Sequence, residues 1–180
     1  MFFKRNIEHE KICTMKSIRI IVFVFLSTIT FSLFSLGGEV PGKVVSVIDG
    51  NTIEFLSSDN ETFRFVLSGI DCPELGQEFG EEAKKHLEKL LKGREIILTI
   101  EGKDRLGNKM GSITLPRGKD PRMELLENGL AWTQERNSNR EFEVIQEEAK
   151  KKRKGLWKQE NPVAPWVFRR QQSMQSPKGG

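Results

Sequence analysis

The chain has 180 residues, one domain's worth of sequence, with 37% apolar and 30% charged side chains and a formal charge of +4. Lys4, Arg5, Lys11, Lys16 and Arg19 against Glu8 and Glu10 account for +3 of that charge before residue 38, which leaves +1 for the rest and excludes the high pI as an argument for a nucleic-acid surface. Of the two cysteines only Cys72 follows that stretch, so residues 38–180 contain no internal disulfide and rest on an apolar core.

From Met15 the chain reads MKSIRIIVFVFLSTITFSLFSLGGE, with Lys16 and Arg19 ahead of an apolar run from Ile20 to Leu36 and the small residues Ser35 and Gly37 near its end. Residues 1–37 are therefore expected to be a cleaved signal peptide of a secreted or periplasmic protein. The alternative is an uncleaved N-terminal anchor, which alone would give a stable membrane association. Cys13 precedes the run and does not make a lipoprotein cysteine. Residues 1–14 read as a cytoplasmic extension or as the result of a start placed one methionine early.

Beyond Pro41, short alternating runs at Lys43 to Ile48, Thr52 to Leu56, Thr62 to Leu67, Glu95 to Ile100 and Lys109 to Leu115 are bounded by Gly, Pro, Asn or Asp and predict five strands. Between the first two, VIDGNTIEF pinches around Asp49-Gly50-Asn51, a hairpin signal in which Asn51 would tolerate a left-handed turn. FGEEAKKHLEKLLKG puts Phe79, Ala83, Leu87, Leu90 and Leu91 on one face of a first helix, stopped by Gly93. A second helix is expected from Pro121 to Asn128 before Gly129, and a third from Arg140 to Lys154 before Gly155, with Phe142, Ile145 and Ala149 facing inward. The basic run Lys150 to Lys154 reads as a solvated helix end that complements the dipole. The tail QQSMQSPKGG, residues 171–180, lacks apolar content and is expected to be disordered. Five strands and three helices in this order predict an α+β domain over residues 38–170 built on a small closed five-stranded OB-fold barrel.

The third strand runs into SGIDCPE. Asp71 and Glu74 lie three apart across Pro73 and offer two carboxylates to a hard cation. Around them stand VIDGNT, FGEEA, the Asp104 to Asn108 segment DRLGN, ENGLAW ending at Trp132, GLW, and PVAPWVFRR ending at Arg170. In order and spacing this resembles the thermonuclease, or staphylococcal nuclease-like, family from about Gly42 to Arg170. The resemblance implies the same OB barrel, a calcium ion at its mouth, and water attacking a nucleic-acid phosphodiester. It further implies Asp71 as metal ligand and Glu74 as the group that handles water, with two arginines neutralising the phosphate in the transition state.

Three charged positions of that pattern are changed. Asn51 stands where a second metal aspartate belongs, Val66 five residues before Asp71 where an arginine belongs, and Asn108 at the last position of a D-R-Y-G-R segment, with Leu106 replacing its tyrosine. Asp71, Glu74 and one carbonyl oxygen of Asn51 then make at best a weak calcium site. Loss of both arginines should cost at least about 10⁴ in rate. Arg64 is the candidate catalytic stand-in, on the same strand face as Val66 but about 6.6 Å further along. Lys103, Arg105 and Lys109 are the local cations for nucleic-acid contact, and Trp132 is a base-stacking candidate that fits the packing of the third helix better. Cys72 and His86 are not placed by any catalytic motif. The expected protein is a monomeric exported thermonuclease-like module that binds single-stranded DNA or RNA with degraded catalysis; the alternative is an active calcium-dependent endonuclease.

Overall fold

A computed structural model describes residues 38–115, 118–134 and 139–175. The expected targeting segment and the end of the expected tail, 176–180, lie outside the described residues. Five strands close a barrel in the order β1 (Glu39–Val47), β2 (Thr52–Ser57), β3 (Thr62–Leu67), β6 (Lys109–Thr114), β5 (Glu95–Lys103). All neighbours are antiparallel except β3 and β6, which run parallel with Val66 opposite Met110. Bulges at Val44/Ser46 and Ile100/Gly102 bend the strands enough to close so small a barrel. The alternation seen in sequence is the alternation in burial: Ile53, Phe55, Phe65, Leu67, Leu98 and Ile113 point inward, while Arg64 and Val66 lie on the outer face of β3.

Three of the helices follow the expected pattern. In α1 (Gly80–Leu91) Ala83, Leu87 and Leu91 are buried against the barrel, and Gly93 ends it at φ 68°. Helix α2 (Pro121–Glu127) is capped by the Asp120 carboxylate, which accepts from the Arg122 N–H, and carries Pro121 in its first turn. Asn139 caps α3 (Arg140–Lys151) in the same way. The third helix stops short of its expected end because Arg153 at φ 48° and Gly155 at φ 47° turn the chain left-handed into a 3₁₀ turn, Gly155–Lys158. Its basic end is solvated and paired within the helix: Lys150 with Glu147, Lys151 and Lys152 with Glu148.

The expectation of three helices is corrected by a fourth, α4 (Pro165–Gln175), which extends through the first five residues of the tail expected to be disordered. It escaped the pattern because it buries no continuous apolar stripe. Its hold on the barrel is local: the Trp166 ring lies 5.8 Å from that of Trp132, and Trp132 in turn lies 4.5 Å from Trp157. A two-residue ladder of β4 (Ile70–Asp71) with β7 (Trp132–Thr133) sets Trp132 directly across from Asp71. That pairing brings α4 to the barrel mouth.

Candidate active site

The turn before β2 is built by side chains. Asp49 Oδ1 accepts the Asn51 N–H at 2.9 Å, and Ile48 N–H donates to Thr52 O at 2.8 Å. Asn51 does not take the left-handed conformation expected of it, since Asn60, Phe79 and Arg153 are the non-glycine residues with positive φ among the described residues. Instead it ties three segments together. Its carbonyl accepts from Leu67 N–H at 2.8 Å, fixing the end of β3, and its Oδ1 accepts a long 3.4 Å contact from Cys72 N–H, fixing the Asp71–Glu74 loop. Gly50 is needed for room: a Cβ there would lie 2.5 Å from Cys72 Cβ.

Asp71 and Glu74 converge, and the group between them is Arg169 of α4. Its Nη1 donates to Asp71 Oδ1 at 3.2 Å and to Glu74 Oε1 at 2.6 Å, and its Nη2 to Asp71 Oδ2 at 2.8 Å. Burial pushes the Asp71 carboxyl up from its ordinary value of 3.8, Arg169 pulls it back down without cancelling that cost, and Glu74 and Asp49 add repulsion. The same contacts hold the Arg169 guanidinium protonated even more firmly than usual, first through its hydrogen bond to Asp71. Sequence reasoning missed Arg169. Its available signal was spacing: it lies three residues after Trp166, on the helix face that Trp166 docks.

The loop carrying the carboxylates is braced by Gln77, also unforeseen. Its Oε1 accepts from Glu74 N–H at 2.9 Å, and its Nε2 donates to Val163 O at 3.1 Å. The Cys72 thiol is buried, and desolvation together with the charges of Asp71, Asp49 and Glu74 pushes its pKa well up, which leaves it unreactive.

The other expected site residues are not gathered here. Arg64 stands opposite Glu54 on the outer face of β3, and it makes no bond to Asp71 or Glu74 among the described residues. Asn108 closes its own turn, donating Nδ2 to Asp104 Oδ2 at 2.8 Å and N–H to Asp104 Oδ1 at 2.9 Å. Lys109 pairs with Glu61 at 3.2 Å and caps the Phe63 ring at 3.6 Å. Lys103 and Arg105 are exposed beside that turn. Trp132 is engaged by the rings of Trp157 and Trp166.

A family model described as "Staphylococcal nuclease homologue" matches residues 64–159. Among similar curated proteins, an "Uncharacterized endonuclease" of Escherichia coli O157:H7 is 32% identical over 148 residues, 82% of this chain and 96% of that protein. An "Uncharacterized endonuclease" of Haemophilus influenzae is 32% identical over 133 residues, 73% of this chain and 74% of that protein. A "Micrococcal nuclease" of Shigella flexneri is 31% identical over 140 residues, 72% of this chain and 80% of that protein. The closed five-stranded barrel is that of an OB-fold protein, and the chain belongs to the staphylococcal nuclease-like family.

That family is generally calcium-dependent. The residues present do not fit the ion in this arrangement. Both Asp71 oxygens and one Glu74 oxygen are taken by a guanidinium, and the Asn51 oxygen faces a backbone N–H. Among the described residues no group of three or more His, Cys, Asp or Glu side chains converges to hold a metal.

Proposed function

We propose that this protein is a nuclease-family module that binds nucleic acid, with hydrolysis largely disabled, and that residues 1–37 direct it out of the cytoplasm. The observation that carries the reading is the closed ion-pair set at the barrel mouth: Arg169 pairs with both Asp71 and Glu74, while Val66 and Asn108 supply no guanidinium to a phosphate. Preorganised charge aimed at the phosphoryl oxygens is the main catalytic resource of such a site, and its removal is worth roughly 10⁴ or more in rate. The active-enzyme reading needs Arg64 near the carboxylates, and its place opposite Glu54 gives that reading no support. Exposed Lys103 and Arg105 are the cations through which a single strand would be held electrostatically.

The test is incubation of the full chain with single-stranded DNA and with RNA in millimolar calcium, repeated with chelator, beside fluorescence anisotropy of the same labelled strands. Salt-dependent binding with no chelator-sensitive cleavage is expected. Cleavage at an ordinary enzymatic pace, lost in Glu74→Gln, would overturn the reading.

A further inference from the structure

We propose that Arg169 is a built-in competitor for a divalent cation, so that its ion pairs with Asp71 and Glu74 and the occupation of those carboxylates by calcium exclude one another. The exclusion is geometric first. Calcium needs its oxygens at about 2.3–2.6 Å, and both Asp71 oxygens and Glu74 Oε1 already accept from Nη1 and Nη2 at 2.6 to 3.2 Å. It is electrostatic second, because the guanidinium already offsets part of the negative charge that would draw a cation in.

The competitor is also held at high local concentration. Trp166 on Trp132, with the Gln77 bond to Val163 just ahead of the helix, tethers α4 through contacts other than the ion pairs. The Arg169 side chain is nevertheless 49% exposed, so the pairs lie at the surface where they can be displaced. By linkage, whatever weakens those ion pairs must tighten calcium binding, and the reverse. The inference rests on Asp71 and Glu74 being the family's cation carboxylates, and a binding isotherm tests it separately from cleavage.

The experiment is calorimetric titration of the full chain with calcium chloride, comparing wild type, Arg169→Gln, Arg169→Lys and the double variant Arg169→Gln/Asp71→Asn, with folding checked by circular dichroism. Arg169→Gln should bind calcium at least about tenfold more tightly than wild type, and the double variant should lose that gain, since affinity follows ligand charge. Arg169→Lys keeps the charge without the planar fork and should fall between them, at least about threefold tighter than wild type. Equal binding by wild type and a folded Arg169→Gln overturns the proposal, as does a gain that survives Asp71→Asn. Should Arg169→Gln fail to fold, Arg169→Lys decides, and binding equal to wild type overturns it.

Discussion

Asp71 shows how one side chain can be paired and still cost stability. Its two oxygens both receive hydrogen bonds from Arg169, yet burial outweighs them and its pKa lies above 3.8. A carboxyl raised in this way holds its proton more tightly in the folded chain. Its contribution is therefore greatest below 3.8 and is lost as pH climbs through the folded pKa, the reverse of an ordinary ion-paired aspartate. Urea unfolding of wild type and Asp71→Asn across acid pH should show the wild-type advantage shrinking as pH rises, by about 1.4 kcal/mol for each unit the pKa is raised. An advantage that grows with pH would mean the ion pair wins over burial. At this scale the sequence was half legible. Asp71 and Glu74 announce themselves through a local tetrapeptide, whereas Arg169 reaches them across 98 and 95 residues and leaves no short-range trace. Asn51 was legible as a turn residue but not as the tie between β3 and the Asp71 loop, because that role depends on tertiary neighbours.

Among elements, the start of α1 and the carboxylate loop are packed backbone against backbone. A Cβ on Gly80 would strike the Glu74 carbonyl, while one on Gly76 would meet Phe168 Cζ at an ordinary 3.7 Å. Replacing a helical glycine by alanine gains up to about 1 kcal/mol of propensity, but forcing a methyl into packed backbone costs about 1–3 kcal/mol. Gly80→Ala should therefore lower the urea midpoint with an unchanged m-value, and Gly76→Ala should leave it nearly unmoved. If Gly80→Ala proves neutral, the loop is less tightly packed than the distances indicate. The five strands and first three helices were readable because periodicity and capping residues agree, as at Asp120-Pro121 and Asn139. Helix α4 was not, since its docking depends on Trp166 meeting Trp132 rather than on an apolar repeat.

For the whole molecule, core and site draw on different residues. Ile53, Phe55, Phe65 and Leu67 fill the interior, whereas Asn51, Val66 and Asn108 lie at turns or on the outer face. Charge should thus be restorable without refolding. Asn51→Asp, Val66→Arg, Asn108→Arg and Arg169→Gln together should give calcium-dependent cleavage of single-stranded DNA, at least about tenfold faster than the first three alone, since Arg169 would still occupy the carboxylates in the triple variant. Equal rates with and without Arg169→Gln would remove α4 from the account. The distance along the chain between Asp71 and Arg169 also orders events during synthesis. A nascent polypeptide exposes both acids at the ribosome well before the arginine that pairs with them is translated, so in that interval they have no internal partner.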